Sequence, residues 1–299
     1  MPVIRPPALW PTLAATAGLF RHAHPGLGEP STLPRIERAI SAATLDSAWL
    51  HAYHDCIGLA SAPSGTLAPL ALQLAAAPLH LSILADARFP FRALGLVHMT
   101  QSVTQTRAIP ATARLDLLAY CTDARWEKRG MSFCLVTEAR CDGELVWQAR
   151  TRALAPGKSL WVPPADDKRG NEVGPPEAAS LLCERTLHVP ESCGRRYAAI
   201  AGDLNPIHQH ALLARLFGFK RAIIHGTWTL ARALSMAELP RSTPFSLDAW
   251  FRRPVSLPSD VMVRAWAGHG ELRHTAVVSS PDGATIYLNI QLTESAVLA

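Results

Sequence analysis

A carboxylate and an imidazole stand five positions apart in the stretch Tyr197 to Ala214: Asp203 and His208, with Asn205-Pro206 between them. A neutral imidazole beside an ionised carboxylate can hold a water molecule and take its proton, which is general acid and base chemistry. An aspartate that only caps a turn and a histidine that only faces solvent give the same two letters. The pair by itself leaves both readings open.

The elements around the pair decide how it is presented. Asparagine is a strong N-cap and proline suits the first helical position, so Asn205-Pro206 predicts a helix beginning at Pro206. Leu212, Leu213 and Leu216 would give that helix its apolar stripe, and Gly218 its stop. His208 then falls in the first turn and Asp203 just ahead of the cap. The partial positive charge of a helix start keeps such an aspartate ionised and disfavours protonation of the histidine.

The whole string resembles the signature of the MaoC-like dehydratases, the hydratase 2 or R-specific enoyl-CoA hydratase family. Tyr197, Ile200, Ala201, Gly202, Asp203, Asn205, Pro206, Ile207, His208 and Ala214 fill it, and Ala201 departs from the usual Ser, Thr, Gly or Cys. The resemblance implies that Asp203 and His208 are the catalytic dyad, with Gly202, Asn205 and Pro206 supporting the loop. It also matches His225-Gly226 to the His-Gly before the family's long helix, where backbone N–H groups meet the thioester carbonyl. His225, Gly226 and Thr227 are therefore the expected oxyanion and substrate-binding residues, although the family commonly has Met at the position of Thr227. Glycine there would allow close approach of the substrate.

Composition excludes several other classes. The 299 residues are 48% hydrophobic with a net charge of +5, an ordinary globular balance with room for two modest domains. The basic residues come in scattered pairs (Lys128-Arg129, Arg195-Arg196, Arg252-Arg253) rather than runs, so no nucleic-acid partner is expected. Cys56, Cys121, Cys134, Cys141, Cys183 and Cys193 lack Cys-x-x-Cys or zinc spacing and read as reduced thiols of a cytoplasmic protein. No apolar run approaches the roughly 20 residues of a membrane span. Pro11 interrupts the mildly apolar stretch Ala8 to Phe20, against a signal peptide.

Along the chain, residues 1–34 read as a leader packed on the outside, 35–154 as a first domain, 155–178 as a Pro- and Gly-rich linker, and 179–299 as a second domain. In the first domain an apolar segment, with Pro78 opening a helix buried all round, precedes strand-like runs at Gly95–Thr106, Ala113–Thr122, Met131–Cys141 and Leu145–Leu154. Asp142-Gly143 joins the last two as a tight hairpin, and Trp126 and Trp147 read as core or sheet-face residues. The second domain repeats the layout: a strand at Glu184–His188, a buried helix at Thr227–Ala237, and strands at Phe245–Phe251, Val261–Ala267, His274–Ser279 and Thr285–Thr293. Arg107-Ala-Ile-Pro110 parallels Arg253-Pro-Val255 and Pro258, which points to a duplication. The family's fold makes this an α+β double hotdog, two long helices each wrapped by an antiparallel sheet.

Only the second half carries the motif. The first has His54, His80 and His98 but no Gly-Asp-x-Asn-Pro-x-His, so it reads as a degenerate copy that shapes the acyl pocket. The expected reaction is reversible hydration of trans-2-enoyl thioesters to (R)-3-hydroxyacyl thioesters. No metal or redox cofactor is called for, and coenzyme A or the phosphopantetheine of an acyl carrier protein enters as part of the substrate. A hotdog thioesterase is the first alternative; its carboxylate usually lies on the central helix, and Thr227–Ala237 contains none. A non-catalytic acyl-thioester-binding protein is the second, and it would not require both Asp203 and His208. Exposed sheet edges leave a homodimer open.

Overall fold

The computed structural model describes residues 2–4, 33–59, 65–157, 179–237, 244–268 and 273–294. Most of the expected leader and of the expected linker lies outside them. Within them the elements run β1 (Val3–Ile4), β2 (Glu37–Leu45), α1 (Ser47–Ile57), α2 (Ala71–Ala75), α3 (Ala77–Leu84), β3 (Val97–Gln105), β4 (Leu115–Glu127), β5 (Gly130–Cys141) and β6 (Glu144–Pro156). The second half continues with β7 (Ser180–Val189), α4 (Ser192–Ala201), a 3₁₀ turn (Pro206–His208), α5 (Ala211–Arg215), α6 (Gly226–Met236), β8 (Phe245–Phe251), β9 (Ser259–Ala267), β10 (Arg273–Ser279) and β11 (Ile286–Glu294).

Alternation builds the strands. In β4 Leu115, Leu117, Ala119 and Cys121 are buried, and in β9 Val261, Val263 and Ala265, each separated by more exposed residues. Asp142 and Gly143 both take positive φ, 52° and 83°, which suits the tight turn between β5 and β6. The strands form one sheet in the order β1-β2-β4-β5-β6-β3-β8-β11-β10-β9-β7. Its second half is the first in mirror order, β2 matching β7 and β3 matching β8, and the two meet where β3 pairs antiparallel with β8 from Thr100↔Trp250 to Gln105↔Phe245.

The duplication extends to the connections. Leu67 N–H donates to Ile109 O at 2.8 Å just ahead of α2, and Ile224 N–H donates to Val255 O at 3.0 Å just ahead of α6. Isolated bridges beside them, Thr66↔Pro110 and Ile223↔Ser256, repeat the same pairing. α6 buries Trp228, Leu230, Ala231, Ala233, Leu234 and Met236, apolar on nearly every side as a helix enclosed by a sheet must be. Pro78 lies in the first turn of α3, where its missing N–H costs no helical bond. That helix is buried at Leu79, His80 and Ile83 and only partly covered elsewhere, short of the all-round burial expected. Trp147 is fully buried with its indole N–H on Pro69 O, and Trp126 packs half-buried against the core.

Candidate active site at the start of the second central helix

α4 ends at Gly202, whose φ of 71° lets the backbone reverse without the penalty a side chain would carry. The next residue, Asp203, is left with its side chain 51% exposed. Its Oδ1 accepts from Asn205 N–H at 3.1 Å, and Asn205 Oδ1 accepts from Ile207 N–H at 3.3 Å, so the asparagine caps the following turn as the sequence indicates.

The helix expected from Pro206 is not continuous. Pro206–His208 makes a single 3₁₀ turn, and a new helix, α5, starts only after His210, whose Nδ1 accepts from Leu212 N–H at 3.2 Å. Tertiary hydrogen bonds break it. Ile223 N–H donates to Ile207 O at 3.0 Å, and His208 Nδ1 lies 2.8 Å from Ile223 O, so the turn is strapped to the strand-like segment before α6. Leu212, Leu213 and Leu216, the expected apolar stripe, are exposed.

The strap decides the chemistry of His208. A carbonyl can only accept, so Nδ1 carries the proton and donates, and in the neutral ring Nε2 presents its lone pair. That Nε2 lies 3.9 Å from Asp203 Oδ2. His208 itself is buried, so one side of the pair opens to the surface and the other is enclosed.

His225 joins them. It stands at the N-cap of α6, its ring stacked on His208 at 3.6 Å between centroids and met edge-on by Tyr197 at 5.1 Å. Its Nε2 is 3.2 Å from Asp203 O and 3.7 Å from Asp203 Oδ2. Burial, seconded by His208, pushes its pKa down to about 3, against the pull of Asp203, so it stays neutral and donates Nε2–H to the Asp203 carbonyl. Asp203 feels desolvation that would raise its pKa, but His225, His208 and the Asn205 N–H outweigh it and hold the carboxyl below its ordinary value. The sequence marks His225 only through its neighbour Gly226. Its ring contact depends on the strap between Ile207 and Ile223, which no local pattern reveals.

Gly226 and Thr227 open α6, and the N–H groups of a first helical turn have no partner inside the helix. Tyr197 donates its hydroxyl to Thr227 Oγ1 at 3.2 Å. A side chain on Gly226 would come within 2.9 Å of the Phe251 ring, so the room this glycine leaves is taken by Phe251 instead of lying open to a ligand. One ligand atom each from Asp203, His208 and His225 lies within 4.8 Å of the others, a spacing that suits a small ligand such as water or a metal ion.

Beyond Tyr197, the described residues form an apolar cleft between the two halves, lined by Tyr53, Ile57, Leu59, Ala68, Leu70 and Ala231 among others. Six free cysteines complete the inventory. No described helix is long and apolar enough to cross a membrane.

Known proteins resemble this chain in sequence and fold. Residues 174–285 match the family model described as the MaoC like domain. The 3-hydroxyacyl-thioester dehydratase X of Mycobacterium tuberculosis is 30% identical over 268 residues, 89% of this chain and 91% of that protein. The crystal structure of HtdX from the same organism superposes with a TM-score of 0.71 at 24% identity, covering 87% of this chain and 100% of that one. A MaoC-like dehydratase from Phytophthora capsici superposes at 0.65 with 15% identity, over 90% and 98% of the two chains, and shares the double hotdog fold. Carrying the motif on that fold and related along nearly its whole length to such a dehydratase, the chain belongs to the MaoC-like dehydratase family of hydro-lyases.

Proposed function

We propose that this enzyme adds water reversibly across trans-2-enoyl thioesters to give (R)-3-hydroxyacyl thioesters, with Asp203 and His208 handling the water. The observation that carries the reading is the His208 tautomer: Nδ1 tied to Ile223 O leaves Nε2 as a lone pair 3.9 Å from an ionised, half-exposed carboxylate. That gap is too long for a direct hydrogen bond and suits a water held by both groups. His208 Nε2 takes a proton from the water as oxygen attacks C3, and the dyad returns a proton to C2. In dehydration the steps reverse. Charge that develops on the thioester oxygen meets the first-turn N–H groups of Gly226 and Thr227, where a donor is worth about 10²- to 10³-fold.

The first half supplies the acyl wall. The cleft runs beside α6 from Ala231 to Leu234, about 7 to 12 Å along the helix from Gly226, which suits a chain of several methylenes. α6 itself, Gly226–Met236, contains no aspartate or glutamate, against the thioesterase alternative. Water activation in this reading is complete without metal or redox cofactor, coenzyme A or a carrier's pantetheine being part of the substrate. Free thiols throughout fit a cytoplasmic enzyme, and that location is part of the proposal.

The test is loss of enoyl absorbance on trans-2-enoyl thioesters of four to twelve carbons, with the product resolved by chiral chromatography. Hydration to the (R)-alcohol supports the reading. The (S)-alcohol, or release of free thiol in place of hydration, overturns it.

A further inference from the structure

We propose that the exposed apolar surface around α5 docks a small acidic acyl carrier protein, which delivers the substrate on its pantetheine arm; this rests on the thioester reading above. Leu212 is 61% exposed and Leu216 79%, and Leu213 and Phe217 are exposed beside them. Single exposed leucines are common on any surface, whereas four within six positions form a patch that a partner covers.

The patch belongs to an addition that only the catalytic half has. From Gly58, which ends α1 at φ 62°, the chain needs eight residues to reach the bridge at Thr66. From Gly202, the matching end of α4, it needs twenty-one to reach the matching bridge at Ile223. That extra length builds His208 and then α5, so the apolar surface arrives with the catalytic residue. Leu212 follows His208 by four residues, which puts their Cα atoms within about 15 Å. A protein seated on α5 therefore stands beside the open side of Asp203, within reach of a flexible thioester arm.

Charge selects the kind of partner. No aspartate or glutamate occurs from residue 204 to 237, while Arg215, Lys220 and Arg221 are exposed around the leucines and Arg195 reaches Gln209 O from α4. Cations flanking an apolar centre complement an acidic surface with an apolar helix face. Coenzyme A would satisfy the cations through its phosphates but has no apolar surface broad enough to cover Leu212, Leu216 and Phe217. A protein carrier satisfies both.

The test compares one trans-2-decenoyl chain presented on coenzyme A and on a purified acyl carrier protein, for the wild type, Leu216→Ser and the Arg215→Glu/Lys220→Glu pair. These side chains are exposed, so the folded state should survive, and circular dichroism checks it. The expected result is a KM for the carrier substrate raised about tenfold or more, with kcat little changed and coenzyme A kinetics unmoved. Fluorescence anisotropy of the labelled holo carrier, without any acyl chain, should show the same loss of binding. Because that readout needs no turnover, it separates failure of docking from failure of the hydratase reading. Equal effects on both substrates, or on neither, overturn the proposal. So does a wild type that dimerises, or that sediments with anionic phosphatidylglycerol vesicles, through Leu216.

Discussion

The two halves of this molecule place the same frame around opposite chemistry. Tyr53 and Tyr197 are both fully buried, each five residues before a left-handed glycine, Gly58 or Gly202, that ends a helix. After that glycine stands Leu59 in the first half and Asp203 in the second. Counting on from the matched bridges, Ala68 and Pro69 take the places of His225 and Gly226. The apolar cleft is thus lined by the first half's counterparts of the candidate active site. The sheet and helices recur, and three replacements plus one longer connection separate the polar cluster of the second half from the apolar cleft of the first.

Either half can be given the other's residue. Installing the first half's residue in the second, Asp203→Leu, should lower kcat for enoyl hydration by about 10²- to 10⁴-fold with secondary structure intact. Retained turnover would mean that this carboxylate is not part of the chemistry. The reverse exchange, Leu59→Asp, buries a carboxyl in the apolar cleft, where Ala68 stands in the place of His225. It should cost about 3 kcal/mol or more of stability in urea titrations and confer no new activity. A neutral effect would show that the cleft is already wet.

Histidines sharpen the contrast. His80 of the first half is sealed in the core, with Nε2 2.6 Å from Thr137 Oγ1, and burial pushes its pKa to about 4 from an ordinary 6.5. Between those values the unfolded chain binds the extra proton, so stability falls as pH drops from 6.5 to 4. The loss is about 3 kcal/mol at pH 4. The buried His98 and His225, also pushed down to about 4 and about 3, add to the same decline. In unfolding experiments His80→Gln should therefore make it shallower by about 3 kcal/mol between pH 7 and 4, and an unchanged decline would assign the acid sensitivity to the other groups. The smallest expected effect is on chain length. Ala231→Phe narrows the cleft and should lower kcat/KM for a ten-carbon enoyl thioester about tenfold relative to a four-carbon one. Equal loss on both would place the acyl chain elsewhere.

Much of the frame was legible because it rests on local rules. Runs rich in Val, Leu, Thr and aromatic residues marked the strands, although β4 runs on to Glu127 past the expected Thr122; Asp142-Gly143 marked the hairpin, and the apolar run after Thr227 the central helix. The closeness of Asp203 and His208 was legible because they are five positions apart in one loop. What stayed hidden depends on contacts between distant segments. The 3₁₀ turn ends at His208 because Ile223 captures both its ring and the preceding carbonyl. The leucines of α5 keep a helical spacing yet meet no core, since α5 has five residues and stands off the sheet. α4 carries Arg195 and Arg196 in its middle, which masks the face that buries Tyr197 and Ala198. The stacking of His225 on His208 joins residues seventeen positions apart, and nothing in either neighbourhood announces it.

In the proposed mechanism Asp203 and His208, in one half only, do the chemistry. The most direct measurement is hydration of a single enoyl thioester by the wild type, Asp203→Asn, His208→Gln and the double variant. Two groups acting on one water should be strongly non-additive, each single change removing nearly as much activity as both together. Independent, multiplying losses, or turnover that survives the double change, would contradict a shared water and move the active site away from Asp203 and His208.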